Sequence, residues 1–410
     1  MKLQFNRLLI SILETGSVIL LLIWGDGISI PSSLRSAFNP ITYLIVAILI
    51  LTQFKRSAYF ATKDISLLLL VGLAGFSILW SENIAFSIDY FRAIVRTTLL
   101  GVYVAVRYSP REQMWLFFLT GIIVTTLSLV VGFTVPSESE FFLGIYAHKN
   151  YLARIMIAVA ITSLLATFDV RRYRWATITV FSLAVIVLLL SEGKTGLAIF
   201  LLSLSLVPCY QLIVKQHYKL RVVIFTISLI LLSCLAVLIL GNLETIVVDW
   251  MGKDLEFNGR TPIWERVIPK IGERPWLGYG IHGFWSSDEG IKALRGIWMG
   301  NQLAEGIGGH AHNGYLDILL SLGLVGMLLF IISITGMLRR LLLLLFITQK
   351  IEYFWMLELI FISQMYQIAE VITILTNNYL WAFYVSISLS SIVYLNRHKR
   401  EKLARKPSYS

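Results

Sequence analysis

Long apolar stretches constrain this chain more than any other feature of its sequence. A helix that crosses the roughly 30 Å hydrocarbon layer of a bilayer needs about 20 mostly apolar residues. Because 57% of the residues are hydrophobic and only 14% are charged, a soluble fold could not cover this apolar surface. The sequence predicts transmembrane helices near 8–24, 41–54, 65–80, 92–107, 115–133, 151–168, 175–190, 195–214, 222–241, 314–337, 351–370 and 379–395. We therefore expect an all-α integral membrane protein with about 12 transmembrane helices.

The basic residues lie mostly on alternate connecting segments. In the tails and short connectors, 22 lysines and arginines lie in one alternate set and 3 in the other, namely Arg35, Lys149 and Lys194. Basic connectors remain on the cytoplasmic side by the positive-inside rule, so both termini are predicted to be cytoplasmic. The net charge of +11 is then a topology signal and not an indication of nucleic-acid binding.

One connecting segment is much longer than the others. Residues 242–313 form a large external loop between helices 1–9, in residues 1–241, and helices 10–12, in residues 314–395. A basic cytoplasmic tail, residues 396–410, completes the predicted organisation. Because a connection this long is uncommon without a function, we expect the chemistry to lie on the external face.

Cationic side chains occur in three segments of that face. They are Lys149 in H-K-N, with Arg154 one turn deeper, Lys194 in S-E-G-K-T-G, and Arg260 in GRTPIWERV. Cations that approach from separate segments can bind a diphosphate and stabilise the charge that grows on it as it leaves. Two alternatives to diphosphate binding stay open. Lys149 and Lys194 could be interfacial lysines that extend to the membrane surface, and Arg260 could form a loop salt bridge with Glu256.

A histidine segment, GHAHNGYLDILLSLGLVG, begins the tenth predicted helix at residues 309–326. If that helix starts at residue 314, Asn313 is its N-cap, and His312 lies at the positive end of the helix dipole. That field favours the neutral imidazole, which is the form that a general base requires. His310 and His282 are interpreted as hydrogen-bonded loop histidines. With no cysteine or third histidine at ligand spacing, the sequence predicts no metal and no cofactor.

These motifs resemble a known family. His312-Asn313, nine residues, Gly323, two residues and Gly326 resemble the signature of the O-antigen ligase and Wzy-type polysaccharide polymerase superfamily. The H-K-N stretch and the S-E-G-K-T-G turn resemble its exopolysaccharide polymerase branch. One departure is Lys194, because the family usually has arginine there, and lysine lacks the bidentate fork of arginine.

The resemblance implies a metal-independent, inverting glycosyltransferase of the GT-C type in a bacterial inner (plasma) membrane. Its donor would be an undecaprenyl-diphosphate-linked glycan, and its acceptor a glycan or lipid-linked sugar hydroxyl. Its other partners would be membrane lipids and a chain-length regulator. His312 would be the base, and Arg260, Lys194, Lys149 and Arg154 would bind the donor. Gly323 and Gly326 would allow close approach of a neighbouring helix.

Two other functions stay open at the level of sequence. An O-antigen ligase would transfer the glycan to lipid A–core instead of to another repeat unit. A transporter or flippase for lipid-linked oligosaccharides would also have about twelve helices. Transporters usually place charges and helix breaks at the bilayer midplane. Here the charges concentrate in one external segment, which favours the transferase.

Overall fold

A computed structural model describes residues 2–25, 27–136, 139–215, 260–306, 309–371 and 374–404 of the protein. Within these ranges all regular elements are helical. In chain order they are α1 (Lys2–Trp24), α2 (Ser32–Thr52), α3 (Phe54–Ala61), α4 (Ile65–Phe76), α5 (Ile84–Arg107), α6 (Pro110–Thr134), α7 (Lys149–Asp169), α8 (Arg174–Leu190), α9 (Lys194–Lys215), α10 (Arg260–Glu273), α11 (Asp288–Ala293), α12 (Trp298–Ala304), α13 (Gly314–Thr348), α14 (Ile351–Ala369) and α15 (Tyr379–Ala404). The prediction of an all-α fold is confirmed for these residues.

In the described residues, fewer helices than the expected twelve are long and apolar enough to cross a membrane. Six helical segments in the described ranges are long and apolar enough to cross a bilayer, and α3 with α4, bent by 94°, makes a possible seventh. The six comprise α2, α6, α7, α8 with the turn before it, α13 and α15. Most of the other predicted spans coincide with helices that are shorter or more polar than these six. One example is α5, which contains Arg96. The span predicted at 222–241 lies outside the described residues.

Helix α7 lies inside the bundle and packs against α6, α8, α9 and α14. Nearly all of its residues are buried, including those on opposite sides, such as Ile155 and Ile157. A helix that is apolar all round lies in a protein core or in a membrane, and the burial of α7 on all sides shows that other helices surround it. Helix α7 therefore fixes the relative positions of the elements that bring polar side chains to its N-terminal end.

Helix α13 is longer than predicted and is broken near its start. It continues to Thr348, and Gly323 has a non-helical backbone with φ of 63°. At this break the amide of Leu324 donates to the Pro275 carbonyl at 2.7 Å, and Val325 donates to Trp276 at 3.2 Å. The backbone of the external segment thus replaces part of the hydrogen bonding within α13.

The groups nearest to Gly323 and Gly326 come from the external segment and from α13 itself. A Cβ on Gly323 would lie 2.3 Å from the carbonyl of Trp276, which belongs to the external segment and not to a neighbouring helix. A Cβ on Gly326 would lie 2.3 Å from the side chain of Leu322 in the same helix. The missing side chains therefore accommodate the break in α13 and the approach of the external segment, and close approach of a neighbouring helix stays a prediction.

The described part of the external segment is compact and has its own apolar core. Helices α10, α11 and α12 and the turns between them enclose Ile263, Val267, Tyr279, Phe284, Trp285, Leu294, Met299 and Leu303, together with Ala311 and Leu320. We call residues 260–306 the external subdomain. Because Leu320 belongs to α13, this core joins the external subdomain to the helix that follows the histidine segment.

Candidate functional site

An open cavity of about 540 Å³ lies at the N-terminal ends of α7 and α9. We call it the site cavity. Polar and aromatic residues from several separate segments line it: Phe141, His148, Lys149, Asn150, Glu192, Gly193, Lys194, Thr195, Arg260, Trp298, His312 and Glu370. Helix α13 also begins beside it, two residues after His312. Three helices of more than 20 residues therefore direct the positive ends of their dipoles toward this region, which favours an anionic ligand.

Glu370 connects the polar groups of the site cavity. It lies just past the end of α14, and only 10% of its side chain is exposed. Its Oε1 accepts hydrogen bonds from Arg260 at 2.7 Å and from the Asn150 amide at 3.0 Å. Its Oε2 lies 3.0 Å from Nδ1 of His312. Burial raises the pKa of Glu370, but His312 and Arg260 outweigh burial, so its pKa lies below the ordinary value. Glu370 is therefore an ionised carboxylate.

The contact with Glu370 determines which nitrogen of His312 carries the hydrogen. An ionised carboxylate can only accept hydrogen bonds, so Nδ1 of His312 must donate. In the neutral ring Nε2 then keeps its lone pair and is the atom that can take a proton. The same carboxylate would stabilise the imidazolium that forms after proton transfer, as in other carboxylate–histidine pairs.

His310 supports the backbone of His312. Its Nδ1 accepts a hydrogen bond from the His312 amide at 3.2 Å, and the two ring centres are 4.0 Å apart. Burial, followed by the neighbouring His312, lowers the pKa of His310 to about 3. A neutral ring whose Nδ1 accepts a hydrogen bond carries its own hydrogen on Nε2. His310 is thus a hydrogen-bonded loop histidine that positions His312.

The same residues form a potential metal-binding group. Ligand atoms of His310, His312 and Glu370 lie within 4.8 Å of one another, an arrangement that the sequence spacing did not predict. A metal ion would need a lone pair from each histidine. Because the lone pair of His310 already accepts the His312 amide, coordination by all three residues would require the loss of that hydrogen bond. The observed hydrogen bonding and a three-ligand metal site therefore exclude each other.

The H-K-N stretch forms the start of α7. His148 is the N-cap, and its Nδ1 accepts from the backbone amide of Asn150 at 3.2 Å. Burial lowers the pKa of His148, which keeps its ring neutral for this role. Lys149 lines the cavity with its ammonium 3.2 Å from the ring centre of Phe141. Within the described part of the chain Lys149 forms no ion pair, so its charge is available to a ligand.

The other predicted cations differ in position. Lys194 is the first residue of α9, is exposed, and forms no ion pair with any described residue. Arg260 lines the cavity and is also paired with Glu370. Arg154 is only 2% exposed and lies 5.1 Å and 5.7 Å from the ring centres of Tyr151 and Tyr379. Three of the four predicted cations therefore line the site cavity with His312, and Arg154 does not.

Two non-glycine residues of the cavity wall have a left-handed backbone. The φ of His312 is 48°, and that of Glu192 is 52°. Such conformations are strained for residues with a Cβ, and they concentrate at sites where function requires a particular orientation. His312 therefore has a backbone conformation that a residue with a Cβ rarely adopts, at the point where its side chain lines the site cavity.

Both flanks of His312 are fixed by side chains. On one side Asn313 caps α13, at the position predicted for it, and its Oδ1 accepts the amides of Tyr315 at 3.0 Å and Leu316 at 3.2 Å. On the other side Asp317 accepts the amide of Ala311 at 3.4 Å and the indole of Trp285 at 2.7 Å. The external subdomain therefore contributes to the position of His312 through Trp285.

The role of Glu370 is not predictable from its own neighbourhood in the sequence. Glu370 is the last residue of the predicted span 351–370, and Glu256, the alternative partner of Arg260, lies outside the described residues. The only available signal was an acidic residue at the end of an apolar stretch, which is common and does not identify a partner.

Comparison with known proteins finds a family for the part of the chain that contains three residues of the site cavity. Residues 178–331 match the family model described as O-antigen ligase, a range that contains Lys194, Arg260 and His312. The chain is also similar to the exopolysaccharide production protein ExoQ of Rhizobium meliloti (strain 1021), with 23% identity over 210 residues. These residues are 49% of this chain and 48% of ExoQ, so the chain spans about half the length of that relative. The resemblance to the O-antigen ligase and Wzy-type polymerase superfamily that the sequence predicts is confirmed over residues 178–331.

Proposed function

We propose that the protein is a membrane glycosyltransferase that polymerises lipid-diphosphate-linked repeat units during surface or exopolysaccharide assembly. The observation that carries this proposal is the site cavity, in which His312, paired with Glu370, lies among Arg260, Lys149 and Lys194. A base and a group of cations in one cavity are what a sugar donor with a diphosphate leaving group requires. By the charge bias of the connectors, this cavity opens on the external side.

The proposed reaction is a single displacement at the anomeric carbon. Nε2 of His312 takes the proton of the acceptor hydroxyl while its oxygen forms the new bond to that carbon. The bond between the carbon and the diphosphate oxygen breaks, and the lipid diphosphate leaves with the electron pair. Attack opposite the leaving group inverts the configuration of the carbon. Arg260, Lys149 and Lys194 stabilise the negative charge on the leaving group.

Glu370 holds the base and one phosphate-binding cation in fixed positions. One of its oxygens accepts from Arg260 and the other contacts His312, so the base and one phosphate-binding cation are held by the same carboxylate. Only one of the five N–H groups of Arg260 is needed for this contact, and the others remain for phosphate oxygens. The acceptor hydroxyl is thereby placed next to the carbon whose leaving group Arg260 binds, and correct placement of reactants is a large part of catalysis.

Polymerisation is preferred to ligation because the similar ExoQ is an exopolysaccharide production protein. An O-antigen ligase is the second candidate, since that is the description of the matching family model. The donor is proposed to be carried on undecaprenyl diphosphate, with another repeat unit as acceptor and a chain-length regulator as partner. A GT-C-like helix arrangement, an inner-membrane location and cytoplasmic termini belong to the same proposal.

The test is reconstitution of the purified protein with lipid-diphosphate repeat units alone. Growth of the units into a ladder of longer glycans, with release of lipid diphosphate, is the expected result. A requirement for a lipid A–core acceptor would identify a ligase instead. Movement of the units across the vesicle membrane with no new glycosidic bond would identify a flippase and contradict the proposal.

We further expect that the reaction needs no metal ion, because three cationic side chains are available to the diphosphate. The polymerisation rate of the purified protein should be unchanged in excess chelator. Added Zn²⁺ should inhibit, since His310, His312 and Glu370 could bind it only by taking up the lone pair used for catalysis. Loss of activity in chelator with recovery on addition of Mg²⁺ would contradict metal independence.

A further inference from the structure

A second cavity lies at the opposite end of the bundle from the site cavity. It has a volume of about 490 Å³ and is formed where α5 ends, α6 begins and the turn after α7 starts. Because α7 runs between the two cavities and its 21 residues span about 30 Å, they lie on opposite sides of the membrane. The basic connectors predict that this end is cytoplasmic. We call it the inner cavity.

Two arginines in the wall of the inner cavity have unused donors. Nε of Arg107 donates to Glu14 at 2.8 Å, and Nε of Arg111 donates to both oxygens of Asp169, at 2.8 Å and 3.1 Å. Each guanidinium has four further N–H groups on its terminal nitrogens, and these form no hydrogen bond to any residue that the structure describes. The paired carboxylates have other donors, since Trp115 also donates to Asp169 at 2.8 Å. Glu112 is a further acidic residue of the wall, and its Oε2 accepts the amide of Ser109 at 2.7 Å at the start of α6. The unused charged donors of the cavity are therefore the terminal nitrogens of Arg107 and Arg111.

The inner cavity changes from polar to apolar toward the middle of the membrane. Beyond the arginines its wall continues along α6 with Leu116 and Leu119, and 44% of Leu119 is exposed. Trp115, at the boundary between the two parts, is an aromatic residue of the kind found at the level of lipid headgroups. A ligand that fits both parts has an anionic group at one end and a hydrocarbon chain at the other.

We infer that the inner cavity binds an anionic phospholipid. Its phosphate is held by the terminal nitrogens of Arg107 and Arg111, and an acyl chain lies along Leu116 and Leu119. A phospholipid and free phosphate both have anionic oxygens that the two arginines could bind. Free phosphate, however, would make no contact with the apolar part of the wall, which an acyl chain would cover. Basic pockets between helices on the cytoplasmic side are a known mode of headgroup binding. This inference is independent of the proposed glycosyl transfer.

The test is a titration of the purified full chain in neutral detergent, followed by native mass spectrometry. The ligands compared are phosphatidylglycerol, phosphatidylcholine and inorganic phosphate. Arg111→Gln removes one cation while Trp115 still donates to Asp169. Ser11→Phe fills the cavity from α1, where Ser11 is a half-buried wall residue, and changes no charge. Arg397→Gln is the matched control, because Arg397 is an exposed arginine in an ion pair with Glu401 near the end of α15.

Phosphatidylglycerol is expected to bind the wild-type protein in preference to phosphatidylcholine. Its affinity should fall about fivefold in Arg111→Gln, which corresponds to about 1 kcal/mol for one basic residue at an anionic surface. It should also fall in Ser11→Phe and stay unchanged in Arg397→Gln, while the melting temperature without lipid confirms that each variant is folded. Equal binding of phosphatidylcholine, equal competition by inorganic phosphate, or unchanged affinity in either cavity variant would overturn the inference.

Discussion

Replacing His312 with alanine is expected to stop polymer formation while lipid-linked repeat units accumulate. Nδ1 of His312 contacts Glu370 at 3.0 Å. The lone pair on Nε2 is therefore the one that can take the proton of the acceptor hydroxyl. Loss of a general base typically costs about 10² to 10⁴ in rate. The rate should be measured with the purified variant, together with the affinity for the lipid-diphosphate donor, which should change little because the three cations remain.

His310→Ala is the informative comparison for this variant. It removes the acceptor of the His312 amide, a hydrogen bond whose net contribution is of the order of 1 kcal/mol, but it leaves the base in place. We therefore expect a much milder loss of rate than for His312→Ala. A folded His312→Ala protein that polymerises at the wild-type rate would show that the histidine segment has only a structural role.

Replacing Glu370 with glutamine should have the second largest effect. Glutamine keeps the shape of the side chain but loses the negative charge that sets the tautomer of His312, stabilises its protonated form and pairs with Arg260. We expect a loss of rate of the order of 10² or more, since the corresponding substitution in a carboxylate–histidine–serine triad costs about 10⁴. The measurement is the steady-state rate of glycan extension at saturating donor.

A double variant distinguishes this role from a general loss of structure. If Glu370 acts through His312, then Glu370→Gln should cost little more in a protein that already contains His312→Ala, because residues that act as a unit are not additive. Glu192→Gln is the matched control, since Glu192 is the other carboxylate of the site cavity and forms no ion pair with a described residue. Equal losses from Glu192→Gln and Glu370→Gln, or full additivity with His312→Ala, would speak against the proposed pair.

The parts of the site that could be predicted are those encoded over a few residues. The cap at Asn313, the start of α13 beside it and the placement of Lys149 and Lys194 at helix starts all follow from local spacing and apolar pattern. Such features depend on contacts within about one helical turn. For that reason the sequence was sufficient to place His312 at the start of a helix.

The parts that could not be predicted depend on packing between distant segments. Glu370 is 58 residues from His312 and 110 residues from Arg260, and nothing in its own neighbourhood indicates either partner. Arg154 is on α7 as expected, but the depth at which its side chain lies depends on Tyr379 from α15. In the described residues fewer helices pass as candidate spans than the sequence predicts, because several predicted spans form helices that are short or polar in their middle.

The break in α13 at Gly323 has a consequence for how such proteins can be recombined. Tyr279 donates to the Leu320 carbonyl at 2.8 Å, and the carbonyls of Pro275 and Trp276 accept the amides just beyond the break. Inside a bilayer each unsatisfied backbone group costs several kcal/mol. A chimera that exchanges residues 260–306 alone keeps these hydrogen bonds only if the new segment brings its backbone to the same positions beside the break. An exchange between relatives is therefore expected to preserve the fold best when the external subdomain and the first turns of α13 are transferred together.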